Sequence, residues 1–187
     1  MVKNITIWSS LEPILYSKEF IHLADISRKL NSSHTTIRQY LNYFEKKNII
    51  IKEIKGRLTM YKPNYANPLI IDYFTIVEKY RLIKKCKEDL LMKEIVTFLH
   101  EISKNNSVVL FGSFVNNSKK ANDIDILVVG KVNFDKIKLF EKKFGINFHI
   151  INIKSMGEIT ISLKKEIIDK HLIIENSEGV IKWMLEN

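Results

Sequence analysis

Four residues of this chain have the types and spacing to do chemistry together. Gly112, Ser113, Asp123 and Asp125 lie in the stretch VVLFGSFVNNSKKANDIDILVV, residues 108–129. An apolar run from Val108 to Phe111 stops at Gly112-Ser113, and after a polar loop a second apolar run carries the two acids in alternation with Ile124 and Ile126. Strand side chains two apart point the same way, so Asp123 and Asp125 face one spot. Two carboxylates facing one spot repel unless a cation sits between them. The pattern predicts a cation site on an otherwise buried strand.

Elements that could position such a site follow in order. Residues 107–187 alternate strand and helix: SVVLFGS, DIDILVVG, NFDKIKLFEKKFG, INFHIINI, then MGEITISLKKEIIDKHLII and a last short helix at SEGVIKWMLE. That order predicts a small mixed sheet with helices packed on it.

Gly-Ser at a strand end followed by Asp-x-Asp in the next strand resembles the nucleotidyltransferase fold of the DNA polymerase β superfamily, above all its minimal nucleotidyltransferases. The resemblance covers about 80 residues. It implies transfer of a nucleoside monophosphate from a nucleoside triphosphate to a hydroxyl or similar group on an unknown protein or RNA acceptor. Gly112 would let the backbone approach a phosphate, and Ser113 would offer its hydroxyl and N–H to the same oxygens. Asp123 and Asp125 would hold Mg²⁺, which bridges the triphosphate and stabilises in-line displacement.

The chain departs from the family pattern at two places. Where the family commonly has Arg after Gly-Ser, Phe114 and Val115 stand here, with Lys119 and Lys120 as the nearby cations for the nucleotide. The family's third carboxylate belongs on a later strand. The matching strand is INFHIINI, whose Asn147 and His149 share a face. His149 is the catalytic candidate there, as a base, since Mg²⁺ prefers oxygen ligands.

Upstream, residues 66–106 read as a helical linker. Pro68 can open a helix, and apolar residues then recur at three and four spacing as one long helix or two. Cys86 stands among Lys84, Lys85 and Lys87, which could lower its pKa, but with no neighbouring His it reads as inert.

Residues 1–65 open with WSSLEPILYSKEF, which reads as a helix that Ser9 or Ser10 could cap. HLADISRKL and HTTIRQYLNYFEKKN predict two helices around a short turn. Ile26, Leu30, Ile37, Leu41 and Phe44 form their core stripe. After Asn48 the period changes to two, and IIIKEIKGRLTMYKP predicts two strands joined at Lys55-Gly56-Arg57.

Three helices and a hairpin in this order resemble the winged helix-turn-helix family of DNA-binding regulators, over about residues 8–65. The resemblance makes Ser33 to Lys47 the recognition helix, entering the major groove by its N-terminal end. Ser33, His34, Thr35, Thr36, Arg38, Gln39 and Asn42 would meet phosphates and base edges, and Lys55 and Arg57 the neighbouring backbone. Residues 1–65 hold 11 Lys and Arg against 5 Asp and Glu, most of the +9 net charge, which favours a polyanion such as duplex DNA.

The whole is expected to be α+β: an N-terminal winged helix (1–65), a helical linker (66–106) and a small mixed-sheet nucleotidyltransferase domain (107–187). A lone cysteine excludes a disulfide framework and a Cys-rich zinc site. No run approaches a membrane span's roughly 18 apolar residues, and the N-terminus lacks a signal peptide's apolar region, so the cytoplasm is the expected address and no membrane partner is expected. Two functions stay open: a DNA-associated, Mg-dependent nucleotidyltransferase, or a transcription regulator whose weakened transferase domain only senses nucleotide. The family's habits add a toxin–antitoxin-type partner protein as a third class, and a homodimer is left open.

Overall fold

The structure is a computed structural model that describes residues 5–116 and 123–186. It is a mixed α+β chain that divides into two compact units, Met1–Tyr80 and Arg81–Asn187. The boundary falls inside one helix, α3 (Ile70–Glu88), introduced below with the first unit.

In the first unit the stretch predicted to be an opening helix folds instead as two 3-10 turns, Trp8–Ser10 and Glu12–Ile14. Pro13 has no N–H to give an α-helix, and Ser9 and Ser10 are buried rather than capping. Their hydroxyls donate to the carbonyls of Thr6 and Ile7 at 2.9 and 2.6 Å. A short strand β1 (Ile21–His22) leads into α1 (Leu23–Leu30), which ends where Asn31 turns left-handed. Helix α2 (His34–Lys46) begins at Ser33, whose hydroxyl accepts from Thr36 N–H at 3.1 Å. Ile26, Ile37, Leu41 and Phe44 lose all exposure, each contributing about 1.5–3 kcal/mol of burial.

Strands β2 (Ile50–Lys55) and β3 (Leu58–Pro63) form the predicted hairpin. Lys55 faces Leu58, leaving Gly56-Arg57 as the turn, and Gly56 takes a φ of +60° that suits glycine. Strand β1 adds to β3, a pairing that the sequence pattern did not signal, so the sheet order is β1-β3-β2. The first turns of α3 close this unit with buried Ile70, Phe74 and Val77, and Tyr73 packs against Trp8 and Phe44.

In the second unit, Asp89 breaks the helical run by capping α4 (Leu90–Ile102), its carboxylate accepting from Met92 N–H at 3.1 Å. Two helices, not one, therefore fill 70–102. Then come β4 (Ser107–Phe111), the single turn α5 (Ser113–Asn116), β5 (Asp123–Val129), α6 (Phe134–Phe144) and β6 (Asn147–Ile153). The chain ends with α7 (Ile161–Asp169), β7 (His171–Glu175) and α8 (Ser177–Leu185).

The sheet order is β6-β5-β4-β7, with β5 and β6 parallel and the other pairs antiparallel. Its mixed character follows from the crossover: α6 carries the chain back so that β6 can run beside β5 in the same direction. One face sends Val108, Leu110, Ile124, Ile126 and Val128 into a core with Met92, Ile95 and Leu99 of α4. Val109, Leu127 and Ile173, also wholly buried, belong to the opposite face, and α8 touches β4 and β7.

Candidate active site at the ends of β4 and β5

Strand β4 is buried throughout and reaches the site at Phe111. Gly112, at a φ of +77°, then bends the chain into α5, and its N–H donates to the carbonyl of Lys170 at 3.1 Å. A Cβ at Gly112 would lie 2.4 Å from Asp125 Oδ2, so glycine is required here by the neighbouring carboxylate as well as by its own backbone. Ser113 is exposed at the turn.

Strand β5 alternates as its sequence predicts. Ile124 and Ile126 enter the core, while Asp123 and Asp125 project from the other face, Asp123 exposed and the Asp125 side chain 26% exposed. The parallel register sets Asn147 beside Asp123 and His149 beside Asp125. His149 Nδ1 lies 3.0 Å from Asp125 Oδ1. With the carboxylate accepting, the N–H lies on Nδ1 and leaves Nε2 open on a ring that is 68% exposed. Asp125 is thus held at one oxygen by His149 and confined at the other by Gly112.

Behind this loop stand residues that the sequence reading missed. His171, almost wholly buried, turns Nδ1 to the carbonyls of Ile167 and Ile168 at 2.9 and 3.1 Å, which makes Nε2 the acceptor facing Arg81 at 3.5 Å. Arg81 also donates to the His171 carbonyl at 3.1 Å. The peptide that receives Gly112 N–H is therefore anchored on its far side. The distant pairing of β4 with β7 sets His171 opposite Phe111, and no local motif announces it.

The donor set fits a hard divalent cation. Among the described residues no group of three His, Cys, Asp or Glu could hold a metal ion alone. Mg²⁺, however, is typically held by one or two carboxylates, with water and substrate phosphates completing its shell. Asp123 and Asp125 supply two such carboxylates, and His149 is already turned onto one of them. Lys119 and Lys120 lie outside the described residues.

The residues expected to meet DNA are distributed over the first unit. His34, Thr35, Arg38 and Gln39 are exposed on α2, with Ser33 exposed at its cap and Thr36 half-buried. Ser33 Oγ also lies 2.9 Å from Thr36 Oγ1. Asn42 sits deeper, its carboxamide oxygen buried without a hydrogen-bond partner. Lys55 and Arg57 are exposed at the hairpin turn, where Lys55 pairs with Glu53 at 3.2 Å. At Cys86, burial together with Asp89 outweighs Lys93 and pushes the thiol above its ordinary pKa, which keeps it neutral.

Among the described residues no helix is long and apolar enough to cross a membrane. No curated protein and no solved structure matches the chain. Residues 92–179, a little under half of the chain, match the family model described as a nucleotidyltransferase domain, and the match takes in all four strands of the second sheet together with Gly112, Ser113, Asp123, Asp125 and His149.

Proposed function

We propose that the protein is a DNA-associated, cytoplasmic nucleotidyltransferase that moves a nucleoside monophosphate from a nucleoside triphosphate to a protein or RNA acceptor. The observation that carries this reading is the Asp125 carboxylate, oriented by His149 and Gly112 beside Asp123 on the same strand face.

Gly112 lets the backbone come close to a phosphate, and Ser113 meets its oxygens through N–H and hydroxyl. Asp123 and Asp125 hold Mg²⁺, which when bound neutralises charge on the triphosphate. His149, fixed by Asp125 at Nδ1, takes the acceptor hydroxyl's proton at Nε2. The acceptor oxygen bonds to the α-phosphorus, and pyrophosphate leaves with the electrons of the broken P–O bond.

The first unit supplies the recruiting module. Its helix-turn-helix followed by a hairpin, and the 11 to 5 excess of basic residues over residues 1–65, support a winged helix that binds duplex DNA. One observation favours a second reading, a regulator that senses nucleotide without transferring it: the position beside Asp125 on β6 is a histidine and not a carboxylate.

Labelled nucleoside triphosphates incubated with the protein, Mg²⁺ and host-cell lysate test both. Label on a protein or RNA that is lost in the Asp123→Asn, Asp125→Asn double variant supports the enzyme. His149→Asp separates the two: loss of transfer makes His149 the base, whereas a gain of about ten-fold would make it a weakened ligand position. Nucleotide binding with no transfer by either form leaves the sensor. Unchanged Mg-nucleotide binding in the double variant would overturn the site itself.

A further inference from the structure

The turn between α1 and α2 borders an open hollow of about 400 Å³ lined by Ala24, Ser27, Arg28, Asn31, Ser32, Ser33 and His34. Two independent features meet there. The first is the start of α2, a helix of 13 residues. Ser33 satisfies the N–H of Thr36, which leaves those of His34 and Thr35 without a partner inside the helix. Their partial positive charge suits an anion.

The second feature is Ser27. The residue is only 3% exposed, yet its hydroxyl makes no hydrogen bond among the described residues. A buried hydroxyl left unpaired costs free energy that a serine in a helix has an easy way to avoid, by bonding back to the preceding turn. Ser27 does not do so, and it lines the hollow. Arg28 stands at the rim, its side chain 77% exposed and paired with Asp25 at 2.9 Å, a surface pair weak enough to exchange for a stronger anion.

We infer that this hollow is an oxyanion site that seats one phosphate group, with Ser27 Oγ and the N–H groups of His34 and Thr35 as donors and Arg28 as the closing cation. The chemistry is that of a phosphate oxygen, supplied either by a duplex backbone or by free phosphate. Only the first source rests on the DNA reading above.

The test uses the full chain labelled with ¹⁵N. Inorganic phosphate and, separately, a short duplex are titrated at fixed ionic strength while the His34 and Thr35 amides are followed. Saturable shifts at both amides, absent with chloride, are expected, and Ser27→Ala should weaken the binding about ten-fold, the worth of a hydrogen bond to a charged group. Because the hydroxyl is unpaired, Ser27→Ala should leave the thermal midpoint of the free protein unchanged or raise it, which a structural serine would not do.

Shifts with the duplex alone assign the phosphate to DNA, and shifts with inorganic phosphate alone keep the site while the DNA reading fails. Duplex binding that leaves both amides unmoved, with no response to phosphate, overturns the inference and spares the DNA reading. Equal affinity in Ser27→Ala, or a marked loss of its stability, also overturns it.

Discussion

Replacing Gly112 by alanine tests the central contact of the site. The added Cβ would lie 2.4 Å from Asp125 Oδ2 and 3.3 Å from its Cγ, and the three nearest atoms all belong to that one side chain. Ordinary contact begins near 3.4 Å, so the carboxylate must retreat by about 1 Å. That movement disturbs its alignment with His149, now 3.0 Å away. The φ of +77° adds a backbone cost of about 1–2 kcal/mol for a residue with a Cβ. Since a single partly exposed side chain must move, the total loss of stability should stay near 1–3 kcal/mol, a fall of roughly 3–8 °C in the thermal midpoint.

Function should suffer more than stability. With Asp125 turned away from Asp123, Mg-nucleotide affinity should drop by at least about ten-fold, some 1.4 kcal/mol. Calorimetric titration and thermal unfolding of the same preparations measure the two losses. Repeating Gly112→Ala in an Asp125→Ala background removes the obstacle, so only the backbone cost should remain. Equal costs in both backgrounds, or intact nucleotide binding in the single variant, would refute the claim that Asp125 is what demands glycine.

Two further outcomes follow from the first unit. Binding of duplex DNA should weaken steeply as salt rises, and Arg38→Ala with Arg57→Ala should reduce the slope of log K against log salt by about 2, as read by fluorescence anisotropy; an unchanged slope would exclude both side chains from the phosphates. Burial pushes the Tyr65 hydroxyl from 10.0 up to about 12 while it donates to the Ser17 carbonyl at 2.8 Å. The unfolded chain releases this proton first, so the stability it contributes is full below pH 10 and is lost as pH rises toward about 12. Tyr65→Phe should therefore flatten the alkaline fall in stability measured by urea unfolding, and an unaltered pH profile would contradict that.

Period and punctuation made much of this architecture readable. Gly56 between two runs of period two announced the β2–β3 hairpin, and Ile37, Leu41 and Phe44 at helical spacing announced the buried face of α2. The opening segment misled because its apolar spacing is helical while Pro13 and the back-bonding Ser9 and Ser10 are not. Strand β1, two residues long, carries no periodic signal at all. Where two helices or one would satisfy the spacing over 70–102, Asp89 decided by capping α4.

At the site, composition revealed which residues matter but not how they meet. Alternation along β5 is enough to put Asp123 and Asp125 on one face, because it depends on a single strand. That His149 and not Asn147 meets Asp125 depends on register, and a slip of one residue would send both to the opposite face. The lock lies at the other end of the pair. Asn152 donates its carboxamide to the carbonyls of Val128 and Gly130 at 3.2 and 2.8 Å, and Gly130 N–H donates to Ile153 at 3.1 Å. These bonds join β5 and β6 where both strands leave the sheet, and the parallel ladder carries the alignment back to Asp125 and His149. Asn152, which looks like an ordinary polar residue in an apolar strand, thus sets the partner of the carboxylate three register positions away. A sequence can name Asp125 by its pattern, but its partner is chosen by hydrogen bonds that only the folded sheet contains.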